Sequence, residues 1–136
     1  MDLIQDLPAM QKVGMNSVKK ISGLLWEQCI LNELHAHLQS QSIHYWRDKQ
    51  GKEIDFIIQN KKKNELTVIE CKFSTLSQGK EMIDSIGTNV EAFRAHYPQG
   101  KNYVVASDIT HAYERKYKDI ILHFISAQEL IKELLH

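Results

Sequence analysis

Much that would force a special reading is scarce in this chain. Only two of its 136 residues are cysteine, Cys29 and Cys71. That excludes a disulfide framework and leaves free thiols in a reducing cytosol as the simpler state. Its two prolines, Pro8 and Pro98, punctuate only the N-terminal lead-in and the end of a central helical pattern. Neither sign of charge is in excess, with 17 basic against 17 acidic residues. A strongly basic nucleic-acid coat is therefore excluded, and any affinity for phosphate has to come from local clustering. No apolar run approaches membrane-spanning length and no secretory pattern opens the chain, so a cytoplasmic location is expected. The seven histidines show neither His-Glu-x-x-His nor Cys-x-x-Cys spacing, which leaves zinc without support. Gln78-Gly79-Lys80 and Gln99-Gly100-Lys101 lack the spacing of a phosphate-binding loop, so ATP binding is not expected. Repeats and low-complexity segments are absent.

What is present is 43% apolar and 25% charged residues, the composition of one soluble globular domain. Residues 1–16 read as a lead-in and 17–136 as the domain. A helix is predicted from Ser17 to about Gln39, with Ile21, Leu24, Leu31, Leu34 and Leu38 as its apolar stripe. Strands follow at 43–46, 52–59 and 66–73, joined by the Asp48–Gly51 turn and a lysine-rich loop at 60–65. A second helix is predicted over 77–97, weakened a little by Gly87. Strands at 102–106 and 120–125 come next, and Ser126 N-caps a short last helix with Glu129 in the capping-box position. Three strands on short turns make an antiparallel meander, and the second helix crosses over to a parallel strand. The expected class is α/β with a mixed sheet: a core order αβββαβ, plus one added strand and a C-terminal helix.

Two of these strands carry charge where a buried strand should not. Glu53-Ile54-Asp55-Phe56-Ile57-Ile58 and Thr67-Val68-Ile69-Glu70-Cys71-Lys72-Phe73 are otherwise apolar and β-branched or aromatic. A hairpin symmetric about Lys62 and Lys63 puts Asp55 directly across from Glu70. With regular alternation Asp55 shares a face with Glu53 and Ile57, and Glu70 shares one with Lys72, Leu66 and Val68. Ile69, Cys71 and Phe73 then point into packing. Two opposed carboxylates repel unless a cation sits between them. Their oxygens suit Mg²⁺ or Mn²⁺, with the backbone carbonyl of Cys71 as an extra ligand and Lys72 beside the ion. Lys72 would orient the attacking water or stabilise developing charge. Glu27 lies in the leucine stripe of the first helix, three residues after Leu24 and four before Leu31. A glutamate there is costly without a partner, so the helix is expected to aim it at the same site.

Each residue alone has a plainer reading. Glu70 and Lys72 suit a solvent-facing ion pair, Asp55 an edge-strand charge, and Glu27 a helix surface if the stripe is rotated. Together they favour one shared site. Arg47 and Arg94 are weaker candidates for contacting substrate phosphate. Lys19, Lys20, Lys49 and Lys61 to Lys63 more simply face solvent. Tyr45 and Trp46 offer rings for base stacking, but the first strand also needs core aromatics and core is favoured. His44, His96 and His111 read as surface or satisfied core residues.

With these residues in view, the chain resembles the PD-(D/E)xK, or restriction-endonuclease-like, nuclease superfamily over about residues 17 to 106. Glu27, Glu53-Ile54-Asp55-Phe56 and Ile69-Glu70-Cys71-Lys72-Phe73-Ser74 carry the likeness, and Ile54 stands where the motif has proline. More narrowly, Gly23-Leu24-Leu25-Trp26-Glu27 and Tyr45-Trp46-Arg47-Asp48, with the two strand motifs, are similar to the nuclease-like C-terminal domain of prokaryotic AAA+ superfamily ATPases. The resemblance implies a three-layer α/β/α fold, Asp55 and Glu70 as ligands of Mg²⁺ or Mn²⁺, Lys72 as catalytic lysine and Glu27 as auxiliary acid. It implies DNA as substrate and an ATPase domain as partner, the chain being a C-terminal fragment or a free-standing relative. The rival expectation is a catalytically silent nuclease-fold module that binds DNA or a protein.

Overall fold

The computed structural model of the protein describes residues 15–39, 42–60, 63–76 and 79–136, with side chains from residue 22 onward. The elements are α1 (Met15–His37), β1 (Ile43–Arg47), β2 (Glu53–Asn60), β3 (Glu65–Lys72), α2 (Gly79–Arg94), β4 (Asn102–Ala106), β5 (Tyr113–Tyr117), β6 (Ile120–Ile125) and α3 (Ala127–Leu135). The six strands form one mixed sheet in the order β1-β2-β3-β4-β6-β5. The first three strands make the antiparallel meander, β3 and β4 run parallel, and so do β4 and β6. Residues 1–14 of the expected lead-in 1–16 and the predicted start of the second helix at Ser77 lie outside the described residues, and Met15 and Asn16 already belong to α1. No described helix is long and apolar enough to cross a membrane.

Two apolar layers sandwich the sheet, because β2, β3 and β4 are apolar on both faces. Ile30 and Leu34 of α1 and Leu130 of α3 pack with Phe56, Ile58, Ile69, Tyr103 and Val105. On the other face Met82, Ile86, Val90 and Phe93 of α2 pack with Ile54, Ile57, Val68, Val104 and Leu122. Fully burying an aliphatic side chain of this kind contributes about 2 kcal/mol, so these central strands anchor the domain. Trp26 fastens α1 to the sheet by donating its indole N–H to the Val105 carbonyl at 3.1 Å. Ser126 caps α3 as expected, accepting the Glu129 amide at 3.2 Å.

Three details depart from the sequence expectation. Two strands follow the core rather than one. The missed strand, β5, reads Tyr-Glu-Arg-Lys-Tyr and has little apolar signal. It is an edge strand, where charge blocks further pairing, and it is paired to β6 across a two-residue turn in which Lys118 is left-handed at φ 52. Gly87 is more than a weak point of α2. A Cβ there would lie 2.2 Å from Cγ of Tyr117, so glycine lets β5 close against the helix. Phe73 does not turn into packing: it lies beyond β3 and is exposed.

Candidate active site

The site forms at one end of the sheet, where β1 and β2 turn, β3 ends and β4 ends. β2 and β3 pair in the register Phe56↔Ile69 through Asn60↔Glu65. One step beyond the last pair, that register sets Asp55 against Glu70, as the hairpin symmetry requires. Beyond it, side chains replace backbone partners. The Asp55 amide donates to Glu70 Oε1 at 2.9 Å, and the Cys71 amide donates to Asp55 Oδ2 at 2.8 Å. Each carboxylate thus closes a backbone donor on the opposite strand, and both are drawn into the gap between the strands.

A bulge lies beside that gap. Between β1 and β2 the register runs His44↔Ile57 and then Trp46↔Ile54, so Asp55-Phe56 together face the single residue Tyr45. Ile54 and Ile57 consequently share one core and Phe56 and Ile58 the other. Regular alternation, which put Ile54 with Phe56, therefore fails at Asp55. An extra residue re-aims a side chain in this way at many functional edges. On β3 the alternation holds: Leu66 and Val68 face α2, while Ile69 and Cys71 face α1.

The electrostatics follow from burial. Glu70 is a buried charged residue at 5% exposure, in a core otherwise built from apolar side chains. Desolvation lifts its pKa well above the usual carboxylate range, and the Asp55 charge adds to this. The Asp55 amide and Lys72 oppose the rise without cancelling it. Burial also raises Asp55, against the Cys71 amide and Lys72. Glu27 is half-buried on α1 and raised by burial first, then by Asp55 and Glu53. Burial pushes the Cys71 thiol up, and Asp55, Glu27 and Glu70 push it further. Glu27, Asp55, Glu70 and Lys72 therefore share one electrostatic neighbourhood. Ile30, Leu31 and Leu34 continue the stripe three, four and seven residues after Glu27, which is why the helix presents it to the sheet.

The donor set suits a hard cation. Asp55 Oδ1 and Glu70 Oε2 accept no hydrogen bond from the described residues. The Cys71 carbonyl lies past the last β2–β3 pair. A divalent ion between the two acids would relieve the repulsion that raises their pKa values. Among the described residues no three His, Cys, Asp or Glu side chains converge as a ready cage. Water and substrate phosphate would complete the shell, as Mg²⁺ prefers.

The two arginines fare differently. Arg47 reaches this end of the sheet but is paired with Glu53, its Nη2 lying 2.9 Å from Oε2. Arg94 is not brought here. It lies at the opposite end of β4, where Nε bonds Asn102 Oδ1 at 2.9 Å and its Nη atoms bond the carbonyls of Tyr97, Gln99 and Lys101. The expectation that it contacts substrate phosphate is corrected: it closes the α2–β4 loop. Trp46 is a core residue, edge-on to Phe93 at 5.4 Å, whereas Tyr45 is exposed. His44, His96 and His111 are all at the surface.

Two residues at this end were not singled out from sequence. Glu53 adds its charge to Glu27, Asp55 and Glu70 alike. Its place beside Asp55 was visible, but its bond to Arg47 was not. Asp108 clamps the segment that follows Lys72. It accepts from Ser74 Oγ at 2.9 Å, from the Thr75 amide at 2.8 Å and from Thr75 Oγ1 at 3.1 Å. Burial raises its pKa, but those Thr75 and Ser74 bonds outweigh it and hold Asp108 below the usual range. Ser107 adds two bonds to the Phe73 carbonyl, from its amide and its hydroxyl. Only the parallel register Lys72↔Ala106 brings the two segments side by side.

No curated protein matches the chain. A family model does, over residues 22–126, which takes in α1 from Ser22 onward, all six strands and α2. The chain therefore belongs to the family described as Domain of unknown function (DUF4143), a domain found at the C-terminus of AAA-ATPase-like proteins.

Proposed function

We propose that this domain is a metal-dependent DNA endonuclease of the PD-(D/E)xK type, working with Mg²⁺ or Mn²⁺. One observation carries the reading: a buried Glu70 and a half-buried Asp55 on adjacent strands meet at a bulged sheet end, both with raised pKa values, with Lys72 two residues past Glu70. Purely structural acids would be matched by cations or donors, and these are matched by one amide each from the described residues. Asp55, Glu70 and the Cys71 carbonyl would hold the ion. When bound, it polarises the scissile phosphate and acidifies its water.

The chain's own groups supply the rest. Lys72 ends β3 two residues after Glu70 and lowers the pKa values of both acids, so a phosphate seated against them would meet its charge. There it offsets the negative charge that grows on the phosphate oxygens. The raised pKa of Glu27 fits its carboxylate for exchanging a proton with water at the edge of the site. Cleavage of DNA by the purified protein with Mg²⁺ or Mn²⁺ is the expected outcome. Lys72→Ala should abolish it while the far-ultraviolet circular dichroism stays unchanged. Equal cleavage by wild type and Lys72→Ala would sink the reading.

A second reading is favoured by the family's place beside AAA-ATPase-like proteins and by zero net charge. Here the domain is a silent module that binds DNA or an ATPase partner. Calorimetry with Mn²⁺ separates the two. Binding lost in Asp55→Asn supports the nuclease, and no binding, or binding untouched by the change, supports the module.

A further inference from the structure

The surface around the acids exposes apolar and aromatic side chains. Tyr45 is 79% exposed, Phe73 47% and Leu76 87%. These three lie at the same sheet end: Tyr45 opposite the Asp55-Phe56 bulge, Phe73 directly after Lys72, and Leu76 in the segment that Asp108 clamps. Trp46 packs in the α2-side core, so by alternation Tyr45 belongs to the α1 side of the sheet. Ile69 and Cys71 pack on the α1 side, and Phe73 follows just beyond the strand end. Glu27 comes from α1 as well. Tyr45 therefore stands on the face from which Glu27 approaches, and the exposed Phe73 lies at the same end of the sheet, on the other side of β2.

The cations here are few. Arg47 is held by Glu53 at 2.9 Å, and Lys72 ends β3 two residues after Glu70. Lys49 and Lys52 are what the β1–β2 turn adds. A protein that tracks an intact duplex needs a stripe of cations to displace counterions from phosphate. Rings that stack on bases serve a strand whose bases are unpaired, at about 1–3 kcal/mol per base.

We infer that the site takes unpaired nucleic acid, a single strand or a frayed end rather than intact duplex, with Tyr45 as the ring on which a base stacks beside the acids. This rests on the nuclease reading, and it names the substrate class for that site. Tyr45 is exposed on the edge strand β1, so its removal leaves the core untouched.

The test measures binding apart from cleavage. Fluorescence anisotropy of a labelled oligonucleotide, single-stranded and as a blunt duplex, is followed with the full chain in EDTA. Wild type should bind the single strand at least about tenfold more tightly than the duplex. Tyr45→Ala should weaken single-strand binding by roughly 5- to 150-fold, and Tyr45→Trp should restore it. The same oligonucleotides are then offered with Mn²⁺, where the single strand should be cut faster and Tyr45→Ala should raise KM more than it lowers kcat. Equal or tighter binding of duplex would overturn the inference, as would single-strand binding indifferent to Tyr45→Ala. Binding to neither form would overturn it too and leave the patch to a protein partner. Tyr45-dependent strand binding without cleavage would support the inference and defeat only the catalytic reading.

Discussion

The two ends of the parallel β3–β4 pair handle buried charge in opposite ways. At the β4 start, Arg94 is a half-buried cation with bonds to one amide oxygen and three carbonyls. Burial draws its pKa down to about 10, so it stays charged at neutral pH. Asn102, buried, takes the Nε bond and passes one on to the Ile121 carbonyl at 3.3 Å. Gly100, at φ 135, lets the loop lie so close that a Cβ would come 2.1 Å from the Leu66 carbonyl oxygen. That end is matched donor for acceptor. At the other end, the half-buried Asp55 and the buried Glu70 are like charges, answered by two amides and Lys72. A matched charge is architecture, whereas a mismatched one waits for something the chain does not itself supply.

Breaking each end should therefore cost different things. The largest effect is on activity at the mismatched end. Lys72→Ala should lower Mn²⁺-dependent cleavage about a thousandfold, ~4 kcal/mol of barrier, with the urea midpoint unchanged. Next is Arg94→Ala, which strands four acceptors at the matched end. It should destabilise the fold by about 3 kcal/mol in urea unfolding and leave Mn²⁺ affinity alone. A loss of Mn²⁺ binding there would erase the distinction between the ends.

A smaller effect has the opposite sign. Because Glu70, Asp55 and Glu27 are raised in the folded state, the fold holds protons that the unfolded chain has released. Their stabilising contribution is full below the ordinary carboxylate pKa and is lost as pH rises through the raised values. In EDTA, thermal stability should therefore fall as pH rises above the ordinary carboxylate range. Mn²⁺ should offset the fall by binding the ionised pair. Glu70→Gln keeps an acceptor for the Asp55 amide without the charge, so it should flatten the slope and stabilise the metal-free protein by about 1 kcal/mol. A Glu70→Gln protein as steeply pH-dependent as wild type would show that the pair is not strained. Smallest of all, Tyr45→Ala should shift the melting free energy by no more than about 0.5 kcal/mol, which keeps its binding effects readable.

Much of this was legible in residue order. Alternation and helical period located α1, α2, α3 and five of six strands, because those segments bury apolar faces and the pattern records it. The strand that escaped, β5, has its stabilising partners in β6 and in the Gly87 gap of α2, and nothing in Tyr-Glu-Arg-Lys-Tyr reports either. The site was half legible. Charges inside apolar strands marked Asp55, Glu70 and Lys72, and hairpin symmetry gave their register. Arg94 misled because a helix end looks much the same from sequence at either end of a sheet. Asp108 escaped because it meets Ser74 and Thr75 only through a parallel pairing across 33 residues or more.

The sequence by itself determined the three helices and five of the six strands, and that acids sit where burial makes them expensive. Periodicity and the cost of buried charge are local properties, readable one segment at a time. Only the tertiary structure decided that a bulge at Asp55 breaks the alternation and turns its carboxylate toward the Cys71 amide. It also decided that α1 lays Glu27 within electrostatic range of that carboxylate, and that Arg94 closes a loop at the far end. Those outcomes depend on where separate segments meet, and the free energy of meeting resides in no one of them.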